Sequence, residues 1–323
     1  MPFLKTLTHA LKAALLAAVA ASSVPAQAQT GKPIRMVHTA AAGSMSDTFT
    51  RVVAEGLASR LQQAVIVDAK PGASGIIASQ DVARSAPDGN TLLLGTMSSH
   101  VLNPILLNPP YDAVNDFAPV ALLAITPLVL VANPSMPGNL DELLAVVRRE
   151  PNKVSFATWG NATLPHLAAE LLMSMTKTAM IHVPYKGAAP ARIDVMAGRV
   201  SILFSDMTGM HDVEAGRLKA IGVTGSTRAV AYPNVPTLAE LGIRDYEALG
   251  WFAVYAPAAT PKATVSRLSA EIAALLADPK FRKRIQDLGL DPQYGDSAQL
   301  ASRMRNDYAK WARLIKEKSI RVE

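Results

Sequence analysis

Short apolar runs alternate with amphipathic runs along the first third of the chain. Ile34–Val37 predicts a strand, and Ser46–Leu61 predicts a helix whose apolar side chains fall on one face. Ala64–Val67 predicts a second strand, Gly75–Arg84 a second helix and Thr91–Leu94 a third strand. The order β-α-β-α-β is typical of a parallel sheet covered by helices.

The same alternation returns after residue 127. It predicts four further strands, namely Leu128–Ala132, Val154–Phe156, Val200–Phe204 and Ala220–Val223. The helices predicted among them are Asn139–Arg149, capped by Asn139, Leu164–Met175 and Ala188–Ala197. Beyond the strand-like run Trp251–Ala256, every predicted element is helical: Lys262–Ala277, Pro279–Leu288 and Ser297–Lys318.

Two such sets predict an α/β fold of two lobes, each a mostly parallel sheet flanked by helices, with the helical tail packed on the first lobe. Leu128–Pro134 and Leu249–Pro257 are strand-like runs that end in proline, which suits a hinge of two segments. We therefore expect residues 29–130 and 254–323 to form the first lobe and residues 131–253 the second.

The first 28 residues have the pattern of a secretory signal peptide. Lys5 and Lys12 supply positive charge, Ala13–Ala21 is an apolar run too short for a permanent membrane anchor, and Ala26-Gln27-Ala28 offers small residues for cleavage. We expect cleavage after Ala28 and a soluble periplasmic protein. The alternative is a buried N-terminal helix.

Composition narrows the possible partners. The 323 residues include no cysteine, so an exported form would carry neither a disulfide nor a lipid on an N-terminal cysteine. The net charge of +6 falls to +4 when Lys5 and Lys12 are removed, and the basic residues are scattered. With export, this argues against nucleic-acid binding.

The usual motifs of catalysis and cofactor binding are missing. The sequence has no G-x-G-x-x-G, no P-loop and no G-x-S-x-G. The histidines, at positions 9, 38, 100, 166, 182 and 211, are not spaced like metal ligands. We expect no cofactor, no metal and no catalytic residues, although a triad dispersed along the chain stays open.

One loop is a candidate ligand site because it joins a strand to a helix through small residues. It comprises Ala41, Ala42, Gly43, Ser44, Met45, Ser46 and Asp47. Small residues allow close approach to the backbone, and a helix start offers free N–H groups to a carboxylate. Ser44 and Asp47 also form a capping pattern, so the alternative is simply a capped helix.

A second strand-to-helix loop would face the first across a cleft. Its candidate residues are Trp159, Gly160, Asn161, Ala162 and Thr163, followed by His166. The alternatives are a core tryptophan and a structural histidine. Further candidates follow other predicted strands: Ser98, Asn103 and Asp206, with Lys186 as an anion-attracting residue or merely a solvated lysine.

These loops and several short motifs in order resemble the Bug family, periplasmic binding proteins similar to the receptors of tripartite tricarboxylate transporters. Beyond the first loop the motifs include Lys70-Pro71-Gly72-Ala73-Ser74-Gly75, Ala86-Pro87-Asp88-Gly89, Val183-Pro184-Tyr185-Lys186-Gly187 and Val235-Pro236-Thr237. The resemblance covers nearly the whole mature chain.

The resemblance implies a two-lobed Venus-flytrap fold, type II-like, that closes on a small carboxylate held by backbone N–H groups, hydroxyls and waters of the two loops. Asp206 aligns with an acidic or polar site at the cleft. The chain departs from the family where Thr39, Ala40 and Ser44 replace a proline-aromatic and glycine pattern, where His38 replaces an aliphatic residue, and where Ala162 replaces a common glycine.

The leading hypothesis is therefore a monomeric solute-binding protein, not an enzyme, that serves a membrane transporter or a sensor kinase ectodomain. The second hypothesis is an exported hydrolase, in which Ser44 would be the nucleophile and His166 its base. The third is a ligand-independent interaction protein whose cleft is filled by side chains such as Trp159 or Met45.

Overall fold

The structure is a computed structural model that describes residues 31–322. The predicted signal peptide and its cleavage site lie outside the described residues. Within residues 31–322, no helix has both the length and the apolarity that a membrane crossing requires.

The described chain alternates strands and helices, as the sequence predicts. The strands are β1 (Ile34–His38), β2 (Val65–Ala69), β3 (Thr91–Thr96), β4 (Phe117–Pro127), β5 (Val129–Ala132), β6 (Ser155–Thr158), β7 (Ile181–Pro184), β8 (Ile202–Ser205), β9 (Lys219–Val223), β10 (Leu249–Pro257) and β11 (Asp291–Gly295). The α-helices are α1 (Met45–Leu61), α2 (Ile76–Ala83), α3 (Asn103–Leu106), α4 (Leu140–Arg149), α5 (Leu164–Thr176), α6 (Ala188–Met196), α7 (Met210–Glu214), α8 (Lys262–Ala277), α9 (Pro279–Gln286) and α10 (Ser297–Glu317).

The strands form two sheets. The first has six strands in the order β11-β4-β10-β3-β1-β2, and the second has five in the order β7-β6-β8-β5-β9. The chain leaves the first sheet through β4, enters the second through β5 after the single residue Leu128, and returns through β10. The two-lobed α/β architecture is thus confirmed, while the lobe boundaries at residues 130/131 and 253/254 stay predictions.

Both sheets are mixed rather than mostly parallel. In the first, β1 is parallel to β2 and β3, but β10 is antiparallel to β3 and β4. In the second, β5 is antiparallel to β8 and β9. The outgoing strand β4 and the returning strand β10 lie side by side, so they must run in opposite directions.

The sequence pattern misses three strands. β4 is buried along most of its length and lacks polar alternation, so periodicity alone gives no signal for it. β11, in the supposedly all-helical tail, is a polar edge strand that contains Pro292. β7 is a short edge strand that ends in Pro184.

The packing of the helices follows from their polar ends and apolar faces. Asn139 caps α4 through its side chain, as predicted, and Asp296 and Gln299 form a reciprocal capping box at the start of α10.

One apolar cluster packs α1 and α8 on the first sheet, and another packs α6 on the second. A third is continuous from Leu93 in the first sheet through Leu130 in the second to Trp311 of α10. This third cluster therefore joins the two sheets through one continuous core.

Candidate functional site

A cavity of approximately 540 Å³ lies between the two sheets. Met45, Ser74, Thr96 and Ser98 line it from the side of the first sheet. The segments 161–164 and 206–208 line it from the side of the second. The volume suits a small organic molecule, and a cleft between two lobes is a common place for such a site.

The cavity wall is mainly apolar. Three methionines (Met45, Met97, Met207), two tryptophans (Trp159, Trp251) and several leucines contribute to it. Methionine side chains are flexible and polarizable, so this wall can adapt to apolar groups of different shape. Of the described residues that line the cavity, Asp206 alone carries a charged side chain, and none is Lys, Arg or His.

The first loop is organised by the side chains of Ser44 and Asp47. Ser44 Oγ accepts the Asp47 N–H at 3.2 Å and so caps α1. Asp47 Oδ2 accepts the Gly43 N–H at 2.9 Å and the Arg51 Nε–H at 3.1 Å. These bonds, the Gly43 amide foremost, hold the pKa of Asp47 below its usual value. Asp47 therefore remains ionised, and its carboxylate holds the loop by accepting the Gly43 N–H.

His38 supports the same loop from the end of β1. Its ring is fully buried, and Nδ1 accepts the Ala40 N–H at 3.4 Å. Nε2 lies 3.0 Å from Asp47 Oδ1. Burial lowers the pKa of His38, although the Asp47 carboxylate acts in the opposite direction. In a neutral ring with its proton on Nε2, the donor faces Asp47 Oδ1 and the acceptor faces the Ala40 N–H.

The second loop is held by hydroxyls and by a histidine. Thr158 and Thr163 both donate their hydroxyls to the Gly160 carbonyl, at 3.1 and 2.7 Å. The Ala162 N–H donates to His166 Nδ1 at 3.0 Å. Ala162 has a φ of 56°, a left-handed conformation that favours glycine. Ala162, which replaces a common glycine of the family, thus keeps the left-handed backbone, and the hydrogen bond to His166 holds its N–H in place.

A second histidine stacks behind this loop. The rings of His166 and His182 lie 3.9 Å apart, and His182 Nε2 is 2.7 Å from Thr158 Oγ1. Burial and the neighbouring His166 lower the pKa of His182 to about 4. The loop therefore rests on an imidazole that is neutral at neutral pH.

Asp206 is placed at the cavity by the end of β8. Its backbone begins a short 3₁₀ turn, and its Oδ1 accepts the Thr208 N–H at 3.1 Å and the Thr208 hydroxyl. Arg192 Nη1 lies 3.7 Å from the same oxygen. The side chain is 46% exposed, so it faces the cavity rather than the core.

The structure brings eight of the predicted site residues to the cavity wall: Met45, Ser98, Asn103, Trp159, Asn161, Ala162, Thr163 and Asp206. Nine others are not part of that wall: Ala41, Ala42, Gly43, Ser44, Ser46, Asp47, Gly160, His166 and Lys186. Asp47 and His166 are buried and shape the loops, whereas Ala41, Ala42, Gly43 and Lys186 are exposed. Their direct contact with a ligand stays a prediction.

The sequence did not predict several residues that the first sheet and its loops contribute to the cavity wall. Ser74 lies in a glycine-rich turn that has left-handed backbone at Ala73, Ser74 and Gly75. Thr126 is the last residue but one of β4, and Trp251 lies near the start of β10. The clustering of glycines at positions 72 and 75 was a usable signal for Ser74. Thr126 had none, because its strand was not predicted.

Comparison with known proteins identifies the family. The sequence profile of the tripartite tricarboxylate transporter family receptor, TctC, matches residues 49–320. The chain belongs to this family. Its members are periplasmic solute-binding receptors, which is the class that the sequence resemblance predicts.

Individual relatives match this chain over almost their full lengths. Protein BugT of Bordetella pertussis is 32% identical over 96% of this chain and 95% of its own. Among solved structures, R. palustris Rpa4515 with adipate has a TM-score of 0.75 and 29% identity, covering 90% of this chain and 98% of that one. A TctC solute binding protein from Polaromonas, without ligand, has a TM-score of 0.81 and 26% identity, covering 89% and 99%. The Bug family prediction is confirmed.

Proposed function

We propose that this protein is a receptor that captures a small carboxylate in the cavity between its two sheets. The observation that carries the proposal is the position of two helix starts. Met45 is the first residue of α1 and Leu164 the first of α5, and both line the cavity although they belong to opposite sides of it. The first N–H groups of a helix have no partner within it and favour an anion. Ser44 already accepts the Asp47 N–H and Pro165 has no N–H, so the donors on offer are those of Met45 and Ser46 in α1 and of Leu164 and His166 in α5.

The absence of basic side chains from the described wall fits this mode of binding. Backbone N–H groups and the hydroxyl of Ser98 can hold a carboxylate directly or through water. Rpa4515, which this chain resembles, was solved with adipate, a small carboxylate. The cavity also counts against a protein whose cleft is filled by Trp159 or Met45, because both side chains line open space.

Capture requires that the lobes close on the ligand. The chain passes between the sheets at Leu128 and again between β9 and β10. We propose that the hinge lies beside these connections, at Leu128–Pro134 and Leu249–Pro257, and that residues 29–130 with 254–323 move against residues 131–253. A ligand that contacts both loops binds the closed state better and therefore shifts the population towards it.

We propose that the protein acts as a receptor and not as an enzyme. The hydrolase hypothesis needs Ser44 as a nucleophile and His166 as its base. Ser44 Oγ is engaged as the cap of α1, and His166 Nδ1 already accepts the Ala162 N–H. Neither residue lines the cavity. Nothing in this arrangement provides an activated nucleophile at the place where a ligand would lie.

The proposal includes export and partners. Cleavage after Ala28 would release a soluble monomer into the periplasm. A membrane transporter or a sensor kinase ectodomain would recognise its closed form. Expression of the full-length gene, isolation of the periplasmic product and N-terminal sequencing test the cleavage site. Sedimentation equilibrium of that product tests whether it is a monomer.

Thermal unfolding of the mature chain against a panel of small acids, amino acids and neutral analogues tests the binding proposal. A ligand that binds only the folded state at one hundred times its Kd stabilises it by about 2.7 kcal/mol. We expect stabilisation by one class of carboxylates and none by the matching amides. Stabilisation by the amides alone, or by no compound after unfolding and refolding to remove bound ligand, would contradict the proposal.

A further inference from the structure

We infer that charged residues outside the cavity set the affinity of the receptor, because the ion pair between Glu247 and Arg303 favours the open form. This inference rests on the proposed function, since it takes the two lobes to close on a ligand. It concerns the side of the hinge strand β10 that faces away from the cavity.

A second, polar cleft of approximately 400 Å³ lies along α10. Glu247 lines it together with one face of that helix, and among the described residues it shares none with the wall of the first cavity. Trp251 of β10 separates the two spaces. This residue contributes to the cavity wall, and its Nε1–H donates at 2.9 Å to Asp307, which lines the cleft. The cleft therefore lies on the opposite side of the hinge strand from the cavity.

Glu247 is held on the side of the second sheet by its two neighbours in the chain. The Tyr246 hydroxyl donates to the Ala168 carbonyl of α5 at 2.8 Å. The Ala248 N–H donates to the Thr224 carbonyl, just after β9, at 2.9 Å. Glu247 is thus expected to move with the second lobe.

The residues of α10 that face Glu247 are held on the first sheet. The Tyr255 hydroxyl of β10 donates to the sulfur of Met304 at 3.2 Å. From this helix Arg303 Nη1 reaches Glu247 Oε1 at 3.4 Å, and Lys310 Nζ donates to the Glu247 carbonyl at 3.0 Å. The side chains of Arg303 and Glu247 are only 19% and 27% exposed, so water and salt weaken their attraction less than that of a surface pair. These contacts join the two lobes behind the hinge strand.

On the cavity side of the same strand, the two ligand loops stand apart. Within residues 31–322, no hydrogen bond or ion pair joins the segment 41–47 to the segment 159–163. Met45, at the start of α1, is 43% exposed. Rotation of the lobes about β10 that brings the loops together must widen the opposite side, which moves Glu247 away from α10. The contacts of Glu247 are therefore made in the open form and lost on closure.

The apolar contacts of α10 do not distinguish the two forms in the same way. Trp311 and Leu314 share the third apolar cluster with Leu167 of α5. Apolar contact is non-directional, so it tolerates a small sliding movement of packed helices. A hydrogen-bonded ion pair weakens steeply as its distance and angle change. The difference in free energy between open and closed forms thus depends on the polar contacts of Glu247.

The variant Glu247→Gln tests the inference, with Glu55→Gln as its matched control. Glu55 also forms an ion pair, with Arg284 at 2.6 Å, but its helix α1 and the helix α9 of Arg284 both pack on the first sheet. The mature protein is titrated by calorimetry with adipate and with the most stabilising carboxylate of the panel. The apparent affinity is proportional to the closed fraction, so E247Q should bind about threefold to fivefold more tightly than the parent, and E55Q like the parent.

A double-mutant cycle and a salt series show whether the effect comes from the ion pair. Arg303→Gln should give the same gain as E247Q, and the double variant should gain no more than either single variant, because all three remove one contact. The advantage of E247Q over the parent should shrink as the NaCl concentration rises, since salt screens the pair that the parent retains. A local loss of structure around Glu247 would produce neither result.

The outcomes separate this inference from the proposed function. If the parent binds a carboxylate and E247Q binds it no more tightly than E55Q does, the inference is overturned while the carboxylate receptor stands. Weaker binding by E247Q also overturns the inference, because the contacts of Glu247 would then favour the closed form. If no carboxylate binds the parent, the proposed function fails and the inference fails with it.

Discussion

Asp47 Oδ1 lies 3.0 Å from His38 Nε2, beneath the loop that leads from β1 into α1. In the described structure neither atom has a well-aligned hydrogen-bond partner, so each depends on the other as its polar neighbour. The opposite oxygen of Asp47 holds the Gly43 amide, and the opposite nitrogen of His38 faces the Ala40 amide. The pair thus connects both ends of the loop to the buried end of the strand.

Replacing Asp47 with alanine should loosen this loop. The Gly43 amide and the Arg51 side chain would each lose an acceptor. We expect D47A to lower the free energy of unfolding by about 2 kcal/mol, because the buried His38 Nε2 also loses the polar atom that faces it. Urea denaturation measures this loss. Asp47→Asn keeps an oxygen for Gly43 and should lose less; equal losses in the two variants would contradict the role given to the carboxylate oxygen.

Ala162→Gly should be nearly neutral. Left-handed backbone costs an alanine about 1 kcal/mol, and its relief offsets the loss of one buried methyl group, about 0.8 kcal/mol. We expect the free energy of unfolding to stay within about 0.5 kcal/mol of the parent. Ala169→Gly, a buried change inside α5, is the matched control and should cost about 1–2 kcal/mol. Similar losses at both positions would show that the φ of Ala162 carries no strain.

Asp307 of α10 positions a tryptophan of the cavity wall. Its Oδ2 accepts the Trp251 Nε1–H at 2.9 Å, and burial raises the pKa of this carboxyl above its usual value. Asp307→Asn keeps an acceptor and removes a buried charge, so its stability should lie within about 1 kcal/mol of the parent.

Asp307→Ala leaves the indole N–H unpaired and should lower the free energy of unfolding by about 2 kcal/mol. It should also weaken ligand binding, because Trp251 is free to move at the cavity. Denaturation and calorimetry of D307N and D307A measure the two effects. Unchanged affinity in D307A would mean that the hydrogen bond does not position the ring.

Stability should fall as the solution becomes acidic. Complete burial lowers the pKa of His100 to about 3 from 6.5. Between these values the unfolded chain binds a proton that the folded chain does not, so this contribution is full above pH 6.5 and is lost as pH falls towards 3. His100→Gln should flatten the dependence of unfolding free energy on pH by up to about 1.4 kcal/mol per pH unit.

The exposed His211 provides the control for this experiment. Its side chain is 75% exposed. The unfolding free energy of His211→Gln should therefore change with pH at the same slope as that of the parent protein. The slope, rather than the absolute stability, is the readout, because H100Q also removes the stacking of His100 on Tyr255. A slope in H100Q equal to that of the parent would contradict the prediction.

The sequence predicts the architecture well because helix and strand periodicities alternate regularly and the helix caps are conspicuous. Asn139, for example, caps its helix as expected. It predicts the cavity only in part. Trp159 follows β6 directly, and Met45 begins the helix that comes after β1. Trp251 and Thr126, in contrast, reach the cavity only because β4 and β10 pair across the fold. Such pairing depends on residues more than one hundred positions apart, which local patterns do not encode.

Sequence reasoning also could not separate residues that touch the cavity from residues that shape it. Asp47 and His166 lie in the predicted loops, but their side chains turn towards backbone amides of those same loops. Both alternatives, ligand contact and capping, satisfy the same local pattern. Only the three-dimensional arrangement decides between them.

Tryptophan fluorescence of the mature chain tests the central claim most directly. Trp159 and Trp251 contribute to the cavity wall, although Trp251 is itself almost fully buried, whereas Trp311, the third tryptophan, lies in the core outside that wall. Titration with the carboxylate that stabilises the protein most should produce a saturable change in emission, and Trp159→Phe should reduce that change while Trp311→Phe preserves it. A saturable change that survives in W159F and in W251F would place the ligand elsewhere, and no change with any carboxylate that stabilises the fold would contradict binding in this cavity.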